Sequence, residues 1–269
     1  MFRGDRNPPE PLAELISLKG KRALITGSAA GIGKAIAYRF AEAGAALELV
    51  DIDEERLAAA KEELLSLRAS VATHKVDLSL PHEIHALWER LRGREPDILV
   101  NNAGVYPMKG FLEVDAAFLH KVEEINLNSV FWMCQNMIRR RSGKGGVIIN
   151  IGSIEAIIPF KDDLAHYSLT KAGVIALTRA LAKEYGKEFR VNCLLPGGII
   201  TPGTKDVAKD ILRLDFGIVK AGVEFRARLP VGRFGRPDEV ACMALVLASD
   251  LASYVQGALV PVDGGFLSA

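Results

Sequence analysis

Short apolar runs alternate with amphipathic segments along most of the chain. Runs bounded by turn residues predict strands at residues 22–26, 46–50, 70–76, 98–101, 147–151, 190–195 and 258–262, most of them apolar throughout, as strands covered on both faces are. Between them the apolar positions fall at helical spacing: Ile32, Ile36 and Phe40; Leu57, Leu64 and Leu67; Ile84, Leu87 and Leu91. Further helices are predicted over residues 118–140, 167–185 and 237–248. Strict alternation of strand and helix requires right-handed crossovers and therefore a parallel sheet wound in both directions. The expected fold class is α/β, a doubly wound parallel sheet of seven strands with helices on both faces. It forms one domain over residues 18–269, preceded by a loose arm over residues 1–17. One stretch breaks the alternation: residues 201–228 are mixed, with six basic and four acidic side chains. An insertion after the carboxyl end of a strand is where a substrate lid sits, and an ordinary surface excursion is the other reading.

Composition narrows the function classes. At 269 residues, 49% hydrophobic and 25% charged, the chain has globular proportions and enough length for a large core, which excludes disorder as its main state. Lys and Arg number 34 against 33 Asp and Glu, a net charge of +1, so binding nucleic acid by phosphate neutralisation is not expected. No apolar run approaches the ~20 residues a bilayer span needs, and the N-terminus interleaves charges and prolines where a signal peptide would be apolar. A soluble, cytoplasmic protein without a membrane partner is the expectation. The three cysteines, Cys134, Cys193 and Cys242, include no close pair, so no disulfide framework or thiolate metal site is expected; they read as small buried apolar residues. His82 and His85, three apart on a helix, lack a third ligand and read as a solvated face. Only two glutamines occur, a depletion of thermolabile amides that fits a heat-adapted source.

The chemistry begins directly after the first strand, at Thr26-Gly27-Ser28-Ala29-Ala30-Gly31-Ile32-Gly33. Glycines let backbone N–H groups close on a pyrophosphate at a helix N-terminus, and this turn opens the first βαβ unit. Asp51 follows the second strand, eighteen residues after Gly33. A carboxylate there accepts from ribose hydroxyls and repels a 2′-phosphate, so NAD is favoured over NADP. Asp53 reads as the cap of a helix starting at Glu54. Tyr167 and Lys171, four apart on a helix, share one face. A nearby ammonium favours phenolate, so Tyr167 could take an alcohol's proton near neutral pH.

With Asn101-Asn102-Ala103-Gly104 and Tyr167-Ser168-Leu169-Thr170-Lys171 the sequence resembles the short-chain dehydrogenase/reductase family, in its single-domain branch. The likeness runs from Leu18 to the C-terminus and takes in Asp77-Leu78, Asn126, Ile151-Gly152-Ser153, 196–201 and Val262-Asp263-Gly264-Gly265. The resemblance implies a Rossmann-type fold and a catalytic set of Asn126, Ser153, Tyr167 and Lys171. Ser153 would orient the substrate oxygen, and Asn126 would anchor a water relaying protons through Lys171. The cofactor would meet Gly27, Ala30, Gly31, Ile32, Gly33, Asp51, Ile52, Asp77, Leu78, Asn101, Ala103, Gly104, Pro196, Gly197, Ile199 and Thr201, besides Tyr167 and Lys171. Ala30 stands where relatives that use NADPH place a basic residue. Ser153 and Tyr167 are fourteen apart, one more than is usual in the family. His166 points elsewhere on the helix than Tyr167. Ile154-Glu155, followed by Ile158-Pro159-Phe160 and His166-Tyr167, is similar to bacterial glucose dehydrogenases of the family, with Glu155 accepting from a sugar hydroxyl, so the substrate contacts would be Ser153, Glu155 and Tyr167. The implied function is interconversion of a secondary alcohol, as in a sugar or polyol, with a carbonyl by hydride transfer to NAD, in a homotetramer. A 3-oxoacyl-carrier-protein reductase is the enzymatic alternative, and a non-catalytic nucleotide-binding scaffold protein is the alternative of another class.

Overall fold

The computed structural model describes residues 10–201 and 226–269. Residues 202–225, which hold most of the expected lid, and residues 1–9 of the arm lie outside the described residues. The strands are β1 (Arg22–Thr26), β2 (Ala46–Asp51), β3 (Val71–Lys75), β4 (Ile98–Asn101), β5 (Gly146–Ile151), β6 (Phe189–Pro196) and β7 (Leu259–Val262). Among the described residues they make one parallel sheet of seven strands in the order β3-β2-β1-β4-β5-β6-β7. The order reverses between β1 and β4, where crossovers leave to opposite faces and a crevice opens at the carboxyl ends of the strands.

The helices are α1 (Leu12–Leu15), α2 (Gly31–Glu42), α3 (Glu54–Leu65), α4 (Pro81–Arg90), α5 (Ala116–Glu123), α6 (Ser129–Arg140), α7 (Ala165–Glu184) and α8 (Pro237–Ala248). Alternate strand residues feed two cores. Ile25, Leu49, Val100 and Ile149 meet Ile36 and Phe40 of α2, Leu57 and Leu64 of α3 and Leu247 of α8. Leu24, Val50, Leu99 and Ile148 meet Leu87 and Trp88 of α4, Met133 and Met137 of α6 and Val174 of α7. Small residues (Ala37, Ala41, Ala241 and Ala244) are buried where α2 and α8 pack together. Caps fix the starts of helices: Asp53 accepts from Arg56 N at 3.0 Å, as expected, and Asp115 accepts from Phe118 N at 2.8 Å.

Three details differ from the sequence reading. The helix expected over residues 118–140 is two helices joined by a π-turn, Glu124–Asn128, in which Ser129 N bonds to Glu124 O five residues back. Such single π-turns concentrate at functional sites, and this one contains Asn126. The arm carries the one-turn helix α1, after which Leu18 is buried and its N–H bonds to Ala43 O. Cys134 and Cys193 are buried as expected, but Cys242 is exposed on α8 and does not belong to the core.

A carboxylate is buried in the middle of β2. Glu48 is fully shielded, with His74 Nε2 at 2.6 Å, Arg22 at 2.7 Å and Arg94 at 3.7 Å. Burial alone would raise its pKa, but the hydrogen bond to His74 and the charges of Arg94 and Arg22 bring it below the ordinary glutamate value. A depressed folded pKa gives stability that is present above the unfolded-state value and is lost as pH falls through the folded one. Glu48→Ala should therefore cost about 3 kcal/mol, the low end for a broken buried pair because both arginines reach solvent. Urea midpoints compared at neutral and acidic pH check this: the gap between wild type and variant should narrow in acid.

Candidate active site

The glycine turn follows β1 at the point where the strand order reverses. A side chain at Gly33 would put Cβ 2.1 Å from Gly27 O and 2.5 Å from Asn102 Nδ2, so only glycine fits there. Asn102 fastens the turn by donating from Nδ2 to Thr26 O and Gly27 O, each at 3.0 Å. Thr26 Oγ1 accepts from the N–H groups of Asn102 and Ala103, joining the ends of β1 and β4. Ala30, with φ −153°, leads into α2, whose first turn, Gly31, Ile32 and Gly33, faces the crevice with its N–H groups. Thr201, at the edge of the described residues, lies over Gly31. The loop beginning at Pro196-Gly197 is held by Gly197 N on Val262 O and by a bridge from the nearly buried Ile199 to Gly235.

Asp51 ends β2 beside this turn. Its Oδ2 accepts from Ala29 N at 2.9 Å and its Oδ1 from Asp53 N at 3.1 Å, so the carboxylate also braces the turn. Ile52 next to it is 60% exposed. Asp77 is held in its own turn by Ser79, which donates from both N–H and Oγ to Oδ1, and Leu78 is nearly buried. Asn101 departs from the sequence reading: its side chain turns into the sheet, donating to Asn150 Oδ1 at 2.8 Å and lying 3.3 Å from Cys134 Sγ. It offers the crevice only main chain, because odd positions of β4 near its end face the α6 side. Asn102, which the sequence reading quoted and left without a role, is the asparagine that builds the turn.

The carboxyl end of β5 brings Ser153 to α7. Ser153 Oγ accepts from Glu155 N at 3.1 Å, which leaves the hydroxyl proton to be donated to Tyr167. Tyr167 meets Tyr106 edge to face with ring centroids 6.2 Å apart, and Lys171 Nζ lies 5.8 Å from its ring centre. Lys171 is almost wholly buried, and its ammonium donates to Ile151 O at 2.8 Å. Asn126 clamps the chain after β4 in both directions, accepting from Val105 N at 2.8 Å and donating to Val105 O at 2.7 Å. Gly104 passes between these groups: a Cβ there would sit 3.3 Å from Asn126 Oδ1 and 3.5 Å from Lys171 Nζ. The four catalytic candidates thus converge at the same end of the sheet as the glycine turn.

Burial sets their titration. It pushes the Tyr167 phenol up to about 12, against the downward pull of the Ser153 hydrogen bond, and it pulls Lys171 down to about 8. The lowered phenol pKa expected from the Tyr/Lys spacing is therefore absent from the protein by itself, since the ammonium lies over the ring and bonds Ile151.

Two walls flank the site. Glu155 departs from the role expected of it, because its carboxylate is 1% exposed and turned to Phe160 N and Ser168 Oγ, each at 3.5 Å. Farther along this loop, Phe160 packs on Phe266 of the C-terminal turn with centroids 5.3 Å apart. On the other side His166, buried against Phe118, bonds Pro107 O at 2.7 Å and so pins the 105–110 segment to α7. Its packing role was not visible from its helical direction alone. Among the described residues no group of three or more His, Cys, Asp or Glu is placed to hold a metal ion, and no helix is long and apolar enough to cross a membrane.

A dinucleotide crevice beside a Ser/Tyr/Lys/Asn cluster defines a nicotinamide-dependent oxidoreductase site, and comparison with known proteins agrees. A family model described as enoyl-(acyl carrier protein) reductase matches residues 27–267. The chain is 36% identical to the 3-oxoacyl-acyl-carrier-protein reductase FabG of Aquifex aeolicus over 258 residues, covering 93% of this chain and 98% of that one. A protein described as an NAD(P)-dependent gluconate 5-dehydrogenase from Beutenbergia cavernae, with NADP bound at low occupancy, superposes with a TM-score of 0.88 at 31% identity, covering 95% of this chain and all of that one. A 7α-hydroxysteroid dehydrogenase complexed with NADH gives 0.86 at 32% identity, over 95% and 98% of the two chains. The chain belongs to the short-chain dehydrogenase/reductase family.

Proposed function

We propose that the protein is an NAD(H)-dependent dehydrogenase that interconverts a secondary alcohol of a sugar or polyol with the corresponding carbonyl. The observation that carries this reading is the convergence of Ser153, Tyr167, Lys171 and Asn126 on the crevice that the glycine turn lines. Close main-chain approach at Gly27, Gly31 and Gly33 suits a pyrophosphate, and Asp51 suits an adenosine ribose that carries no 2′-phosphate. The dinucleotide, when bound, supplies the hydride acceptor or donor and, in its oxidised form, a positive charge that favours phenolate. Ser153 donates to the substrate oxygen and Tyr167 takes its proton as the alcohol is oxidised; in reduction the same phenol returns it. Lys171 holds the nicotinamide ribose. Both polar atoms of the Asn126 side chain serve Val105, and Asn126 would also anchor the water that relays protons through Lys171.

The test is a panel of alcohols, polyols and sugars with NAD⁺ and NADP⁺, read by absorbance of the reduced cofactor. Activity confined to 3-oxoacyl thioesters with NADPH would favour the carrier-protein reductase reading, to which the FabG likeness points. Asp51→Ala should narrow the preference for NAD⁺ over NADP⁺ roughly ten- to hundredfold, the worth of a charge-assisted hydrogen bond. An unchanged ratio of kcat/KM values would remove Asp51 from cofactor choice.

We also propose a homotetramer assembled through α5–α6, α7 and the C-terminal strand. Phe131 on α6 and Leu169 on α7 support it, since they leave 44% and 57% of large apolar side chains exposed on those helices. Light scattering at micromolar concentration should give four times the chain mass, and a monomer would rule the assembly out.

A further inference from the structure

Glu155 is a carboxylate in an unusual place. It sits in the 3-10 turn Ile154–Ala156, directly after the catalytic serine, and only 1% of it is exposed. No ion pair within 4 Å reaches it among the described residues. Its oxygens find Phe160 N and Ser168 Oγ at 3.5 Å, both long contacts, and the Lys161 amide. Ser168 has one hydrogen to give, and Leu164 O competes for it at 3.2 Å. A buried carboxylate so weakly satisfied is held for a reason other than stability.

Its surroundings supply the reason. The amide of Glu155 caps Ser153 Oγ, so the residue's main chain orients the catalytic hydroxyl. Its side chain bonds Ser168, the neighbour of Tyr167 on α7, so the turn after β5 is tied to the helix that carries the base. The groups facing it are Ser168 and its neighbour Tyr167 from α7, and Phe160 and Lys161 from its own loop. The Lys161 ammonium makes no ion pair with the carboxylate, and Lys171, one turn farther along α7, is engaged with Ile151 O.

We propose that Glu155 is a positioning residue of the reaction: its amide aims Ser153 at Tyr167, and its carboxylate sets the pH at which Tyr167 gives up its proton. A carboxylate and a phenolate in one shielded pocket repel each other, so each charge disfavours the other. Burial raises the Glu155 pKa and, more than the nearby carboxylate does, that of the Tyr167 phenol. The extra residue between Ser153 and Tyr167 lies in the loop that folds over this carboxylate. The inference rests on Tyr167 being the acid/base.

The experiment is the pH profile of kcat for alcohol oxidation at saturating NAD⁺, for wild type, Glu155→Gln, Glu155→Asp and Tyr167→Phe. Glu155→Gln keeps the shape and removes the charge, turning one of the two accepting oxygens into a donor, so its rising limb should move to lower pH by roughly one unit. Glu155→Asp keeps the charge and should stay near the wild-type profile. An ultraviolet difference titration of the NAD⁺-bound enzyme, with Tyr167→Phe subtracted, should show the same shift. In case Glu155→Gln does not fold, carbon-13 NMR of the wild-type enzyme labelled at glutamate carboxyls reads the coupling directly. The Glu155 signal, assigned through Glu155→Asp, should step a second time as Tyr167 ionises. A Glu155→Gln profile superimposed on wild type, or a carboxyl signal blind to Tyr167, would overturn the inference while Tyr167→Phe stays inactive. An active Tyr167→Phe enzyme would instead overturn the acid/base reading beneath it.

Discussion

Tyr167→Phe should lower kcat for alcohol oxidation at least about a thousandfold, within the range attributed to general acid–base catalysis, while the Kd for NADH stays within about twofold. The substitution keeps the ring that meets Tyr106 edge to face and over which Lys171 lies. It removes only the oxygen to which Ser153 donates. Packing and the floor of the cofactor crevice are therefore conserved, and the loss falls on proton transfer. Calorimetric titration of NADH beside steady-state rates separates the two effects. Substantial turnover with normal NADH affinity would mean that another group near Ser153 moves the proton.

Lys171→Met should do two opposite things: abolish most turnover and make the protein more stable near neutral pH. Burial lowers the Lys171 pKa from 10.5 to about 8, so the folded state binds this proton less tightly than the unfolded chain. The penalty is complete below about pH 8, shrinks as pH rises and is gone above the unfolded-state value. At 1.36 kcal/mol per unit, the fall corresponds to at most about 3 kcal/mol, reduced by loss of the bond to Ile151 O. Methionine fills a similar volume without a charge to desolvate. Its Tm advantage over wild type should be largest at pH 7 and fade by pH 10, whereas NADH should bind more weakly at both. A variant less stable than wild type at pH 7 would show that the bond to Ile151 outweighs desolvation. The lysine is thus kept for function against the interest of the fold.

The sheet was legible because parallel strands covered on both faces read as apolar runs, and all seven expected strands are present with ends moved by at most one residue. The π-turn at Glu124–Asn128 was not, since one extra residue in a helical turn hardly disturbs the spacing of Val122, Val130, Met133 and Met137. In the site, Tyr167, Lys171, Ser153 and the glycines were legible as types at fixed spacings. The direction of a side chain was not. Asn101 and Asn102 are chemically identical neighbours, and only strand alternation with the register of β4 on β5 sends one into the sheet and the other to the turn. Glu155 was expected to accept from a substrate hydroxyl, and its burial was not legible because the loop that carries it packs through Phe160 on Phe266, about a hundred residues away.

The placement of the three thiols makes the molecule its own reporter of motion. Cys242 stands in solvent on α8, Cys134 lies under β4 and β5, and Cys193 is buried in β6 against Gly152 at the end of β5. A maleimide pulse should mark Cys242 at once and leave the other two silent. Cys193 is then tagged only when β6 parts from its neighbours, at a rate set by the free energy of that opening. Mass spectrometry of the tagged chain, timed with and without NADH, would measure how firmly cofactor clamps the sheet under the reaction centre, without altering a single residue.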